Sequence, residues 1–442
     1  MEKKMEKELM EFVDKTPNAY YCINNLKTKL LEEGYEELYE NEPWNHISEN
    51  GKYFVTKNDS SLIAFKINEE LDNSTGFNIV ATHSDSPSFT IKSHPEIFDN
   101  NYLKLNTNGY GGMINYTWLD RPLSLAGRII LKNDKTYESH FINIDRDILV
   151  IPSQAIHINR EVNKEATFNH QTDMLPIITI NNNRNIKSII RKQLEEQGIP
   201  IKQISDICDY DLYLYNRDKA KIIGYDNNMI LSPRLDDLAC VYPSFCAFTE
   251  SDNKESLNVF CAFNNEEIGS LTEQGADSTF LYDTLKRIAK IKGQDVEIML
   301  KNSFIVSADN AHAIHPAAAS KSDPTNTVTL NGGVVIKHHK NYTTDGLTSS
   351  IFKDICTNAN VPPQDFECKS DMVCGSTLGG LSIRHVSIDS VDVGMPQLAM
   401  HSANETIGVD DIFYMYEAIL EFYNTKIEKN KNKITLKQMN KR

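Results

Sequence analysis

His83 and Asp85 stand two residues apart in ATHSDSP, directly behind the apolar run Ile79-Val80-Ala81. Four further polar groups punctuate the chain in the same way: Asp236-Asp237 in SPRLDDLA, Glu266-Glu267 in FCAFNNEEIGS, Asp309 in IVSADNAHAIHP and His401 in QLAMHSANETIG. Together they offer two imidazoles, several carboxylates and no thiol. That donor set suits Zn2+ or another borderline divalent ion. It equally suits two ions bridged by one carboxylate, the arrangement used for metal-assisted hydrolysis. Adjacent carboxylates then divide the work, one on the metal and its neighbour free as a general base. Each group alone has a plainer reading. His83 and Asp85 could be a ligand with its support, part of a charge relay, or a polar strand exit. Glu266-Glu267 could be acids favoured at a helix N-terminus, and Asp236 a helix cap. The case for chemistry rests on all five occurring together.

Bringing them together needs strands that end at one edge. FNIVAT (77–82), LNVFCAF (257–263) and SFIVSA (303–308) read as short, nearly all-apolar strands of a sheet covered on both faces. In an open α/β sheet, ligand sites lie at the carboxyl ends of strands. His83, Glu266, Glu267 and Asp309 all fall there. GVVIK (333–337) and SIDSVDVG (387–394) read as further strands. STFLYDTLKRIAKI (278–291) and VDDIFYMYEAILEFYNTKI (409–427) read as helices, as does 5–33 with an interruption near Pro17. A hairpin is expected around Asn58-Asp59. From about 88 to 230 the texture changes to strand-like pieces separated by turns: FTIK, YLKL, LAGRIIL, FINIDRDILVI, MLPIITI, DLYLY and AKIIGY, with one helix at 185–197. The expected fold is α/β: a mostly parallel central sheet flanked by helices, with an inserted β-rich domain. The expected boundaries are 1–88 and 232–442 for the two parts of the main domain, and 89–231 for the insert.

Composition bounds the function. The 442 residues are 40% hydrophobic and 24% charged, an ordinary globular balance, and carry a net charge of −15. That charge argues against a nucleic-acid binder, which needs a basic surface. Residues 426–442 hold seven Lys/Arg against one Glu and read as a frayed, solvated end. No apolar run is long enough for a transmembrane helix, and MEKKMEKELM predicts no secretory signal of the usual form. Eight scattered cysteines without a CxxC pair read as reduced thiols in a cytoplasmic protein. His312 and His315 are expected to support the site from beneath or to lie in the core.

In order along the chain, ATHSDSP, TNGYGGMINYTWLDRPLSLAGRIILK (107–132), IPSQAIHINRE (151–161), SPRLDDLA, NNEEIGS, SADNAHAIHP, DMVCGSTLGG (371–380) and PQLAMHS resemble the signatures of the aspartyl aminopeptidase family of di-zinc metallopeptidases. The resemblance implies two Zn2+ per subunit, with Co2+ or Mn2+ able to substitute. It implies that Asp236 bridges them, that His83 and Asp309 complete one site, and that Glu267 and His401 complete the other. Glu266 would be the general base, and Asp85 would fix the tautomer of His83. The Asp236-Asp237 peptide would be cis. His157 would reach from the insert into a neighbouring subunit's active site, and the assembly would be a dodecamer built from dimers. Lys337, Ser376 and Thr377 would meet the substrate.

The reaction so implied is removal of N-terminal residues from peptides with a free α-amine. Lys337 suits Asp or Glu at that position. Asp237 and the SANE segment depart from the family's usual residues and leave a neutral, Leu-like preference open. The alternatives are a non-peptidase di-metal amidohydrolase of the same fold and a non-catalytic scaffold.

Overall fold

The computed structural model describes residues 2–48, 50–67, 75–165, 167–181, 184–431 and 433–438. At its centre lies a nine-stranded sheet. Its strand order is Glu36–Leu38, Lys52–Lys57, Ser61–Lys66, Leu257–Phe263, Phe77–His83, Phe304–Ala308, Asp389–Gly394, Val334–His338 and Pro363–Glu367. Five of its eight pairings are parallel, including all three among the central four strands. The three antiparallel pairings lie outside that centre, so the sheet is mixed at its flanks. Ser61–Lys66 returns through the hairpin at Asn58-Asp59, where both residues take positive φ.

The central strands are apolar throughout because both faces are covered. Side chains alternate between two cores. Val80, Phe260, Val306 and Val391 pack with helices Leu235–Glu250 and Val409–Tyr423 on one face. Ile79, Val259, Cys261 and Ile305 pack with Phe280–Ile291 and Val296–Lys301 on the other.

A second, wholly antiparallel sheet has the order Thr136–Asn143, Leu123–Asn133, Ile207–Asn216, Ser88–Asp99, Tyr102–Tyr110, Ile177–Ile180. It builds its own core, on which helix Ile186–Glu196 packs. Strands Lys221–Ile223 and Met229–Ser232 leave it and join Glu405–Gly408, Pro396–Leu398 and Ala311–His312 in a five-stranded sheet. Among the described residues no helix is long and apolar enough to cross a membrane.

The N-terminal helix breaks near Pro17 as expected, into Glu2–Asp14 and Ala19–Glu32, the second capped by Asn18, whose Oδ1 accepts the Tyr21 N–H at 3.3 Å. Two other expectations need correction. The last helix stops at Tyr423, and Thr425–Asn430 with Lys433–Gln438 forms a hairpin rather than a frayed end. Burial of Thr425 and Ile427 secures it, and the Asn78 amide donates to the Thr425 carbonyl at 2.8 Å. Residues 432 and 439–442 of the tail lie outside the described residues. The thiols are not all reduced: Cys368 and Cys374, with Cα atoms 5.9 Å apart, form a disulfide, while the other six are free.

Candidate metal centre

Three adjacent parallel strands deliver the first groups. His83 is the last residue of Phe77–His83 and lies in register with Phe263, after which the chain turns into Glu266 and Glu267. Asp309 directly follows Phe304–Ala308. Asp236 opens helix Leu235–Glu250, and the Asp236-Asp237 peptide is cis. His401 comes from the loop after Pro396–Leu398 and holds a left-handed φ of 66°. Asn265, beside Glu266, has a φ of 64°. Left-handed backbone is uncommon at non-glycine residues, and here it turns the chain sharply at the cluster in both places.

The side chains converge on Asp236. Its Oδ1 lies 3.4 Å from His83 Nε2 and its Oδ2 lies 3.3 Å from His401 Nε2. Asp309 Oδ1 is 3.8 Å from the same His83 nitrogen, and Glu267 Oε2 is 3.4 Å from the same His401 nitrogen. The ligand atoms fall into three overlapping clusters: His83, Asp236, Asp237 and Asp309; His83, Glu266 and Glu267; and Asp236, Glu267 and His401.

These groups fit a divalent ion. Asp236 Oδ1 and Glu267 Oε1 are buried without a hydrogen-bond partner, a costly state that a cation relieves. The donors are imidazole nitrogens and carboxylate oxygens, as zinc prefers. Charge points the same way. Burial, together with neighbouring carboxylates, pushes Asp237 and Glu267 well above the usual carboxylate range. Burial opposes charging His83 and His401, yet the surrounding carboxylates outweigh it, leaving His83 well above its ordinary value and His401 at about 10. The cluster holds more negative charge than its imidazoles balance.

Behind the ligands lies a supporting network. His83 Nδ1 faces the main-chain carbonyl of Asp85 at 3.1 Å, closer than the Asp85 carboxylate at 3.5 Å. That carboxylate instead accepts the N–H groups of Glu266 and Glu267, both at 3.2 Å, and the Tyr110 hydroxyl at 2.7 Å. Asp237 accepts the His83 N–H at 3.1 Å. Glu405, buried, accepts the N–H of His401 at 2.6 Å and of Asp236 at 3.0 Å. The Gly112 carbonyl faces His401 Nδ1 at 3.0 Å. Tyr110, Gly112 and Glu405 escape the sequence reading. Each lies within one of the sequence motifs, but only proximity in the fold assigns its partner.

A cavity of about 270 Å³ opens beside the cluster, lined among others by Glu266, Lys337, Tyr342, Phe366, Ser376 and Thr377. Lys337 is buried, 3.5 Å from Asp309 Oδ2. Burial disfavours its charge, but Asp309 and its neighbours hold its pKa above the ordinary value. Thr377 donates its hydroxyl to Asp392 at 2.6 Å. His312 is an exposed residue of the cavity wall, and His315 is also exposed. His157 is not brought to the cluster within this chain. It is exposed between Ile156 and Ile158, which are 47% and 80% exposed.

The chain matches the family described as aminopeptidase I zinc metalloprotease (M18) over residues 12–423. A probable M18 family aminopeptidase 2 of Clostridium novyi is 43% identical over 431 residues, covering 95% of this chain and 99% of the relative. Among solved structures, one chain from a cryo-EM structure of the Ape4 and Nbr1 complex matches with a TM-score of 0.92 at 34% identity, covering 96% of this chain and 86% of that one. The S. cerevisiae mApe1 dodecamer matches with a TM-score of 0.81 at 22% identity over 95% of this chain and 96% of that one, which speaks for the fold alone.

Proposed function

The chain belongs to the aminopeptidase I zinc metalloprotease family and is a zinc aminopeptidase, and from that premise we propose a two-zinc centre with Asp236 as the shared ligand. His83 and Asp309 hold one ion, and Glu267 and His401 hold the other. The observation that carries this reading is the pair of imidazoles facing the two oxygens of one carboxylate, at 3.4 and 3.3 Å. Zinc bound there supplies Lewis-acid chemistry, polarising the scissile carbonyl and acidifying water.

Glu266 lines the cavity next to these ligands and is left over as the general base. It takes the proton of the attacking water and passes it to the leaving amine. Asp85 fixes the position of Glu266 through the backbone N–H it accepts. Ser376 and Thr377 edge the space where the first residue of a peptide with a free α-amine sits. His157 acts on a neighbouring subunit, which its exposure between two exposed isoleucines supports. The assembly is a dodecamer, the state of the yeast mApe1 that shares the fold. A cytoplasmic setting accords with six free cysteines.

Lys337 offers a cation for an acidic N-terminal side chain. Its ion pair with Asp309 favours a second reading, a preference for neutral residues. Zinc content, measured with turnover of N-terminal aminoacyl anilides and of their N-acetylated forms, tests the whole. Two zinc per chain with cleavage of free-amine substrates only is expected. Cleavage of the acetylated set, or one zinc, overturns it. Anilides of Asp, Glu and Leu decide between the two preferences.

A further inference from the structure

The strand Tyr102–Tyr110 belongs to the antiparallel sheet, yet its last residue and the two that follow touch the metal centre of the other sheet. The buried Tyr110 hydroxyl donates to Asp85 Oδ2 at 2.7 Å and accepts from Asn265 Nδ2 at 2.9 Å. A carboxylate cannot donate, so the hydroxyl proton points at Asp85. Asp85 in turn accepts the backbone N–H groups of Glu266 and Glu267. Gly111, with a φ of 77°, lies so near Glu267 that a Cβ there would stand 3.1 Å from the Glu267 Cβ. The Gly112 carbonyl meets His401 Nδ1, and the Ile114 N–H donates to the His401 carbonyl at 2.9 Å. The last strand residue of the antiparallel sheet and the two residues after it therefore lie against Asp85, Glu267 and His401 of the centre.

We propose that Tyr110-Gly111-Gly112 is a positioning element for catalysis, contributed by the antiparallel sheet of the same chain. Tyr110 acts through Asp85 on the backbone of Glu266 and Glu267, and Gly112 orients the His401 ring. Groups that orient metal ligands typically change metal affinity or activity when removed. The inference rests on the proposed roles of Glu266, Glu267 and His401.

The test is Tyr110→Phe in the full-length, zinc-loaded protein. The ring keeps its edge-on contact with Tyr213 at 5.4 Å and loses only the hydroxyl. A fall in kcat of about tenfold to a hundredfold is expected, with KM held within about twofold and faster zinc loss to a chelating dye. Unchanged kcat overturns the proposal, and so does a rise in KM alone, which would mark a substrate contact. In a double-mutant cycle with Asp85→Asn, the two losses must be less than additive, because both act through one carboxylate; full additivity overturns the proposal. Asn265→Gly tolerates the left-handed backbone and removes the amide that orients the hydroxyl, together with the oxygen that accepts from Thr272 and Gln274. It is expected to give a smaller loss of the same pattern, and it decides alone if Tyr110→Phe does not melt cooperatively; normal turnover in folded Asn265→Gly overturns the proposal. Should Glu266→Gln leave turnover intact, the catalytic reading fails separately, while zinc retention in Tyr110→Phe still tests the brace.

Discussion

Every residue of Phe77–His83 is buried, whereas Thr136–Asn143 at the edge of the antiparallel sheet buries only Ile142. The first strand has neighbours on both sides and helices on both faces, so its polar groups can stand only at its ends. The second has one open edge, and its first four residues are exposed. The difference teaches where each sheet can do work. The mixed sheet concentrates chemistry at a carboxyl edge. The antiparallel unit offers surface, including Tyr137, Ile156, Ile158 and Ile180, all exposed. Exposed apolar groups of this kind suit contact with other chains.

Changes at the carboxyl edge should cost most. Glu266→Gln is expected to lower kcat by about 10²- to 10⁴-fold, the range of a general base, with zinc content unchanged by elemental analysis. Full activity would remove Glu266 from that role. His157→Ala should slow turnover about tenfold to a hundredfold without loss of zinc. Mixing it with a Glu266→Gln protein should restore part of the rate if the residue acts between subunits. Ile158→Asp should shift the assembly to smaller species in light scattering; an unchanged mass would take that loop out of the interface.

Stability should separate the sheets next. Ile305→Ala, in the doubly covered centre, is expected to cost about 2–5 kcal/mol by urea denaturation. Tyr137→Ser, at the exposed end of the edge strand, should stay within about 0.5 kcal/mol. Equal costs would mean that Tyr137 is covered.

The smallest effect concerns Lys66 of the mixed sheet, which donates to the Thr249 and Ser251 carbonyls at 3.1 and 2.6 Å. Burial pulls its ammonium down to about 8 from an ordinary 10.5. Between those values the unfolded chain holds a proton that the folded chain does not. Stability should therefore rise with pH across that window and be lost as pH falls through 8. Lys66→Met should flatten the slope of melting temperature against pH.

The strands that carry the centre were legible because a doubly buried strand leaves an uninterrupted apolar run with a polar group at its end. LNVFCAF and the strand in SFIVSA ended where the structure ends them. Helix Gly346–Asn358 left no such trace, because its sequence, GLTSSIFKDICTN, is largely polar and gains order from its Asp345 cap and from contact with the core. The C-terminal hairpin was hidden by its lysines: Thr425, Lys426 and Ile427 are all buried, yet the charge around them reads as a solvated end. Glu405 and Tyr110 were not read as parts of the centre because the contacts that tie them to it reach far along the chain, Glu405 to Asp236 across 169 residues and Tyr110 to Asp85 across 25. The Cys368–Cys374 pairing depended on a backbone approach that spacing does not encode.

The central strand also sets a timetable. Phe77–His83 pairs with Leu257–Phe263 and Phe304–Ala308, and it has no partner from the residues next to it in sequence. A chain emerging from a ribosome holds this strand waiting while the whole antiparallel unit is made. That unit pairs only with itself and can close first. The five proposed donors span residues 83 to 401, so a nascent chain lacks the full set until His401 has emerged. On that reading, peptide-cleaving competence is withheld until residue 401 has been made.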